Sequence, residues 1–176
     1  SEGEPDLLQL SGGEPTIHPD ILRIIDMARE RPIRHLMINT NGLRIAADPD
    51  FVKELAKRKK GLEIYLQFDS LNPEAIRNLR GADLSKVRRK ALDALEAHGI
   101  STTLVATVKK GVNDTEMKAL IDHALQFKCV RGVTFQPVQD VGRNEGYDPK
   151  KNRVLLSEIR RRVIDDHGIF GEADMI

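Results

Sequence analysis

The feature that most constrains the fold is a regular alternation of strand-like and helix-like runs, repeating about every 25 to 35 residues. Each strand-like run is short, and each is followed by a stretch with helical spacing of apolar residues. Strands joined through helices pair in parallel, because parallel strands need long crossovers. The sequence therefore predicts an α/β fold with five parallel strands and outer helices. The predicted strands are residues 6–10, 35–40, 62–68, 102–108 and 132–138.

The predicted strands are two-faced. In residues 62–69 every second residue is apolar, and the residues between are Glu63, Tyr65, Gln67 and Asp69. Strands of an open doubly wound sheet are apolar on both faces, so a polar face favours a partial TIM-type barrel with an open polar lumen. The alternative is that these are solvated strand ends with arbitrary polar residues. The corresponding faces of the other strands hold Gln9 and Ser11, Met37, Asn39 and Asn41, Thr103, Val105 and Thr107, and Thr134 and Gln136.

Composition excludes several classes of function. The 176 residues carry 28 Lys and Arg against 27 Asp and Glu, a net charge of +1, and only 4% are aromatic. This balance predicts no nucleic-acid partner. The longest apolar runs are about five residues and the N-terminus is acidic, so we expect no transmembrane segment, no signal peptide and a cytoplasmic protein.

Metal-ligating residues are sparse. The single cysteine, Cys129, excludes an intrachain disulfide, and we expect it to be a buried structural thiol near the end of a helix. The five histidines do not pair at metal spacing, so the sequence predicts no metal ligand in this chain. Helix starts are marked by Asp48 before Pro49 and by Asp114, each predicted to be an N-cap.

Two polar turns follow the first two predicted strands. Residues 11–15 read Ser-Gly-Gly-Glu-Pro, where the glycines let the backbone approach a ligand and Glu14 can receive or orient a cationic group. Residues 39–42 read Asn-Thr-Asn-Gly, and the alternation places both asparagine side chains on one face, with donors and acceptors. Ordinary turns are the alternative at both places.

Four segments in a fixed order resemble the radical S-adenosylmethionine enzymes. They are Gly-Gly-Glu-Pro at 12–15, Asn-Thr-Asn-Gly at 39–42, Phe-Asp-Ser-Leu at 68–71 and Lys-Gly-Val-Asn-Asp at 110–114. The resemblance covers about residues 6–142.

Two branches of that superfamily share further segments with the chain. Residues 69–71 and 110–114 are similar to the molybdenum-cofactor biosynthesis protein A branch. Residues 130–138, the pair Gly142 and Arg143 and the ending 172–176 are more similar to the group that includes tetraether lipid synthases, which we favour.

The resemblance implies a partial barrel in which a 4Fe-4S cluster reductively cleaves S-adenosylmethionine to a 5′-deoxyadenosyl radical. By position, the turn of Gly12, Gly13 and Glu14 would hold the methionine amino group. Asn39 and Asn41 would contact polar groups of the cofactor.

The later strands complete the implied set. Asp69 would lie near the ribose or carboxylate of the cofactor, and Thr107 would border the same pocket. Gln136 and Val138 are on the last strand, where the family holds the adenine. The resemblance leaves the catalytic residues unknown.

The family's cluster ligands, spaced Cys-x3-Cys-x2-Cys after the first strand, have no match here. We therefore expect the first strand and the cluster loop to lie upstream of Ser1, making residues 1–146 a truncated core and 147–176 a C-terminal helix and tail. The chain itself is predicted to be inactive and to bind neither cofactor firmly. The parent enzyme would use S-adenosylmethionine, the cluster, an external electron donor and a small-molecule or lipid substrate.

Two alternatives stay open at this point. The chain could be a fragment of a cyclase like molybdenum-cofactor biosynthesis protein A, or a cluster-free barrel that only binds a ligand or partner. A missing first strand would also leave residues 6–10 as an unpaired edge. We expect that edge to be covered by a second molecule, as in a dimer, or by the chain's own tail at 169–176.

Overall fold

The computed structural model describes residues 5–138, 148–171 and 173. All five predicted strands form, and they lie in one parallel sheet in the order β1-β2-β3-β4-β5. The strands are β1 (Leu7–Leu10), β2 (His35–Thr40), β3 (Leu62–Gln67), β4 (Thr102–Val108) and β5 (Val130–Pro137). The helices are α1 (Ile21–Arg29), α2 (Leu43–Ala47), α3 (Pro49–Lys57), α4 (Pro73–Arg80), α5 (Ser85–His98), α6 (Met117–Ala124), α7 (Pro149–Asn152) and α8 (Leu156–His167), with a 3-10 turn at Pro15–Ile17.

The chain forms two compact units. The first takes in the described part of Ser1–Phe68 together with Lys86–Leu104 and Phe127–Gly132. The second takes in Asp69–Ser85, Val105–Gln126 and the described part of Val133–Ile176. The predicted boundary at 146/147 falls outside the described residues and stays a prediction.

The register within the first unit confirms the two faces of the strands. Ile38 of β2 pairs with Ile64 of β3, and both are completely buried. On the other face Asn39 pairs with Tyr65, and both are partly exposed. The parallel register keeps apolar residues in one row and polar residues in the other, because side chains alternate along a strand.

The core of the first unit lies under the apolar face. Helical spacing aligns apolar residues on one stripe of each helix, and burying that stripe supplies most of the stabilisation of a surface helix. The buried stripe residues are Ile21 and Ile25 of α1, Leu55 of α3, and Leu92 and Leu95 of α5, none more than 2% exposed.

The turn after β2 comes so close to this core that only glycine fits. Gly42 has φ of +78°, and a Cβ there would lie 2.7 Å from Leu66 Cδ1 and 3.3 Å from Ala91 Cβ. Both the positive φ and the contact exclude a side chain. The Asn-Thr-Asn-Gly segment is thereby held at the end of β2.

The second unit has its own apolar cluster, drawn from β4, α6, α8 and the stretch between α7 and α8. Phe135 and Phe170 are partly buried against it, so the start of the C-terminal tail packs on this core. Ile169 is 63% exposed, and Leu7 of the edge strand β1 is 51% exposed. The predicted cover of β1 therefore stays a prediction. The cluster comprises Val108, Met117, Ile121, Val154, Ile159 and Val163.

The structure confirms the predicted helix cap at Asp48 and contradicts the one at Asp114. Asp48 caps α3 by accepting a 2.9 Å hydrogen bond from the Phe51 N–H, with Pro49 at the first helical position. Asp114 does not cap α6, whose N-cap is Glu116. The Asp114 carboxylate is used elsewhere, in bonds to its own loop and to α8.

Within the described residues no helix has both the length and the apolar content required to cross a bilayer. Gly142 and Arg143, which carried part of the sequence resemblance, lie outside the described residues.

Cys129 is buried, as predicted, in the turn that precedes β5 rather than at the end of a helix. Burial and the neighbouring Glu96 carboxylate raise the pKa of its thiol to about 12. Glu96 accepts hydrogen bonds from the Cys129 and Lys128 N–H groups, at 2.7 and 3.1 Å. The thiol is therefore protonated and a poor nucleophile at neutral pH.

This pKa predicts a specific alkaline destabilisation. The thiol pKa is higher in the folded chain than in the unfolded one, so its contribution is complete below pH 9 and is lost between pH 9 and 12. Between pH 8 and 11 the free energy of unfolding should fall about 2 to 3 kcal/mol more in the wild type than in Cys129→Ala. Urea unfolding at a series of pH values measures this, and parallel pH curves for the two proteins would contradict it.

Candidate functional site

Glu14 ties the turn after β1 to the end of β2. Its Oε1 accepts from Thr16 N at 3.2 Å, Thr16 Oγ1 at 2.6 Å and Thr40 Oγ1 at 2.7 Å. Its Oε2 accepts from Asn41 N at 2.7 Å. Both threonines are almost completely buried. Because Glu14 is the N-cap of the 3-10 turn and precedes Pro15, the local sequence already aims its carboxylate at the Thr16 N–H.

These four donors engage both carboxylate oxygens of Glu14 inside the chain. The backbone of Gly12 and Gly13 is the part of the turn that has free space around it. Gly12 has φ of +115°, and an added Cβ at either glycine would meet no atom within 4 Å. Glu14 thus acts as the orienting group of the turn, and the glycine backbone is the part that a ligand can reach.

Arg44 holds the same turn from α2. Its guanidinium donates to the Thr16 carbonyl and lies 4.0 Å above the centre of the Phe51 ring. A cation over an aromatic face is attracted by the ring quadrupole. The 3-10 turn is therefore held on two sides, by Glu14 and by Arg44.

The two predicted asparagines, Asn39 and Asn41, have different hydrogen-bond partners and therefore different roles. Asn41 Oδ1 accepts from the Leu43 N–H at 2.9 Å, which is a local turn at the start of α2. Asn39 Oδ1 accepts from Gln9 Nε2 at 3.1 Å on the polar face of the sheet. Asn39 is the one that a ligand on that face could contact.

Asp69 organises a second cluster, in the second unit. Its carboxylate is completely buried. Oδ1 accepts from Thr107 N at 3.0 Å and from Arg80 Nη2 at 2.7 Å, and Oδ2 accepts from Arg80 Nε at 2.8 Å. Arg80 Nη2 also reaches Thr107 Oγ1 at 3.1 Å. The structure thus brings the predicted pair Asp69 and Thr107 into direct contact, and a two-point arginine–carboxylate interaction joins Arg80 to Asp69.

The hydrogen bond to Asp69 raises the pKa of Arg80, against an opposing effect of burial. The guanidinium side chain keeps 28% of its surface exposed. Sequence reasoning missed Arg80, because a cation in the last turn of a helix is already explained by the helix dipole. No local signal distinguishes it from Arg77 one turn earlier.

Of the last two predicted residues, Gln136 lies at the end of β5 and Val138 directly follows the strand, both in the same unit. Gln136 is exposed, and the Val138 N–H donates to the Val108 carbonyl at 2.9 Å. The end of β5 therefore continues alongside the end of β4.

An iron–sulfur cluster does not fit the residues of this chain. Cluster iron binds thiolates, and the single thiol is buried with a raised pKa. Within residues 5–138, 148–171 and 173, no three His, Cys, Asp or Glu side chains are grouped to hold a metal.

A parallel sheet with outer helices, a polar face and polar clusters after its strands defines an α/β protein of the partial-barrel type, whose ligands bind at the carboxyl ends of the strands. The chain belongs to the radical SAM superfamily, whose family model matches residues 2–124. The resemblance recognised in the sequence is therefore confirmed.

Two curated relatives are similar to most of this chain. The chain is 32% identical over 159 residues to 7,8-dihydro-6-hydroxymethylpterin dimethyltransferase of Methanocaldococcus jannaschii, covering 89% of the chain and 31% of that protein. It is 29% identical over 162 residues to the GTP 3′,8-cyclase of Nautilia profundicola, covering 88% and 48%. The chain thus spans half or less of the lengths of these relatives, both of which are enzymes. The preference for the tetraether-lipid-synthase group stays a prediction.

Solved structures share the fold. Streptococcus suis SuiB bound to S-adenosylmethionine superposes with a TM-score of 0.72 at 22% identity, covering 91% of this chain and 37% of that one. A domain of the pyruvate-formate lyase-activating enzyme from Bacteroides vulgatus gives 0.68 at 16% identity, covering 92% and 94%. The predicted partial-barrel class is therefore confirmed.

Proposed function

We propose that this chain is the S-adenosylmethionine-binding core of a radical SAM enzyme. The observation that carries the proposal is the open glycine backbone at 12–13, held at the end of β1 by the fully engaged Glu14 carboxylate. Backbone carbonyls freed of neighbouring side chains can accept hydrogen bonds from the methionine ammonium group. Asn39, on the polar face beside Gln9, supplies a further polar contact.

The second cluster suits an anionic or hydroxyl group of the cofactor. Arg80 is a partly exposed cation whose orientation is set by the buried Asp69. A carboxylate or ribose approaching this guanidinium meets donors that are already ordered, so little entropy is lost on binding. Thr107 belongs to this cluster, and Gln136 and Val138 are assigned to the adenine by the sequence resemblance.

In the family, one electron delivered through a 4Fe-4S cluster cleaves S-adenosylmethionine to methionine and the 5′-deoxyadenosyl radical. This chain has one cysteine, so no step of that chemistry is assigned to its residues. The cluster and the external electron donor belong to the parent enzyme in this proposal. The relatives' names specify GTP and a dihydropterin, which supports a small-molecule substrate over a lipid.

The cofactor test uses the 176-residue chain. With no cluster to chelate the amine and carboxylate, S-adenosylmethionine should bind only weakly, with a dissociation constant of about 1 mM. In a ¹⁵N NMR titration we expect shifts at the Gly12 and Gly13 amides and at Arg80 Nε. Gly13→Ala should weaken the binding, and Gly168→Ala, which alters the end of α8, is the control. Low-micromolar affinity, or shifts confined to other residues, would contradict the proposal.

A cluster-free barrel that only binds a ligand is the second candidate, and the single cysteine is the observation that favours it. The two candidates predict different results for a form of the protein that extends upstream of Ser1. Anaerobic reconstitution should give 4Fe-4S absorbance and, on reduction, 5′-deoxyadenosine if the first proposal holds. Absence of both from a form that extends upstream of Ser1 would favour the second candidate.

A further inference from the structure

The Lys-Gly-Val-Asn-Asp loop after β4 has no part in the ligand assignments above, yet its asparagine is almost completely buried. Asn113 is 1% exposed. Its Nδ2 donates to the Asp69 carbonyl at 2.8 Å and to the Thr107 carbonyl at 2.7 Å. Its Oδ1 accepts from the Lys109 N–H at 2.9 Å. Both amide protons and the amide oxygen are therefore used.

The two carbonyls that accept from Asn113 belong to Asp69 and Thr107. The Asp69 carboxylate links the same two residues to each other. Asp69 Oδ1 accepts from the Thr107 N–H, and Arg80 bonds to both side chains. The segments after β3 and β4 are thus linked twice, once through the Asp69 side chain and once through Asn113 at the backbone. Two independent links fix the distance between the segments and the direction of the carboxylate.

Few side chains can replace this amide. The site needs two donors on one nitrogen and an acceptor on the same short side chain, which among residues of this size only asparagine supplies. An aspartate would place a carboxylate oxygen against two carbonyl oxygens. A serine would offer one donor at most.

We propose that Asn113 is the positioning residue of the Asp69–Arg80 cluster, and that the loop at 110–114 exists to hold that guanidinium in its binding orientation. The inference rests on the proposed function, because the guanidinium is taken to receive a group of the cofactor. Asn113 touches no reacting atom in this role. It acts through Asp69, whose backbone it holds.

The loop also has a separate tie to α8, which provides a matched control. Arg162 Nη1 donates to the Asp114 carbonyl and to Asp114 Oδ2, at 2.6 and 3.0 Å. Asp114 Oδ1 accepts from the Gly111 N–H at 2.7 Å. Arg162→Ala therefore loosens the same loop while retaining the bonds from Asn113 to Asp69 and Thr107.

The first measurement needs no ligand. In amide hydrogen exchange of the 176-residue chain, the Thr107 N–H reports the Asp69 carboxylate directly. In Asn113→Asp its exchange, relative to the other β4 amides, should accelerate about tenfold or more, because the hydrogen bond is lost or misaligned. In Arg162→Ala that ratio should stay within about twofold of the wild-type ratio, even if this variant lowers the free energy of unfolding as much as Asn113→Asp does. An unchanged ratio in Asn113→Asp, or an equal change in Arg162→Ala, overturns the inference.

The second measurement is the affinity for S-adenosylmethionine. Asn113→Asp and the milder Asn113→Ser should each weaken it about tenfold, and Arg162→Ala should not. If Asn113→Asp does not fold, Asn113→Ser gives both readouts. A wild-type chain that fails to bind contradicts the proposed function and leaves the exchange result standing. A wild-type chain that binds, with unaltered affinity in folded Asn113 variants, overturns this inference alone.

Discussion

Asp69→Ala is expected to lower the free energy of unfolding by about 2 to 5 kcal/mol, since removing one partner of a buried charge pair leaves the other uncompensated. The Asp69 carboxylate is completely buried and accepts hydrogen bonds from Arg80 Nε, from Arg80 Nη2 and from the Thr107 N–H. Asp69→Asn should cost less than Asp69→Ala, because Oδ1 can still accept from Thr107. Urea denaturation followed by circular dichroism measures both variants.

A matched control is available on α5. Asp93 also forms an ion pair with an arginine, Arg89, at 2.8 Å, but both side chains are more than half exposed. Asp93→Ala should cost less than about 1 kcal/mol, because exposed pairs are screened by solvent. A double-mutant cycle of Asp69→Ala with Arg80→Ala should then show clear coupling. Equal costs at Asp69 and Asp93 would contradict the role assigned to the buried cluster.

Glu14→Ala is expected to cost about 2 to 4 kcal/mol and to release the turn at 12–16, because donors in the interior lose their acceptor. The donors are two N–H groups, of Thr16 and Asn41, and two hydroxyls, of Thr16 and Thr40. Glu14→Gln keeps one oxygen but turns an NH₂ group toward one of these donors, so it should lie between the wild type and Glu14→Ala. Urea denaturation gives the cost.

Amide exchange at Asn41 gives the local effect of the Glu14 variants, and a large acceleration is expected there. Glu30→Ala, at the exposed end of α1, is the control and should change neither quantity. The carboxylate does not hold the turn if Glu14→Ala has the same urea midpoint of unfolding as the wild type and the Asn41 N–H stays equally protected from exchange.

Much of the architecture was predictable from local patterns. The parallel pairing of the strands and their two faces follow from the helices between strands and from the alternation within residues 62–69. The cap at Asp48 and the burial of Cys129 were also predicted correctly. Each of these depends on period, propensity or composition over a short stretch, which the sequence contains directly.

The interior of the candidate site was decided by the tertiary structure. Glu14 looked available to a ligand, but Thr40 and Asn41, 26 and 27 positions away, occupy its carboxylate. Asn113 reaches Asp69 across 44 positions, and Asp114 is drawn from its predicted cap to Arg162 across 48. Hydrogen bonds between such distant residues leave no period along the chain. They depend on which strand ends the parallel sheet brings together, so they become visible only once the chain is folded.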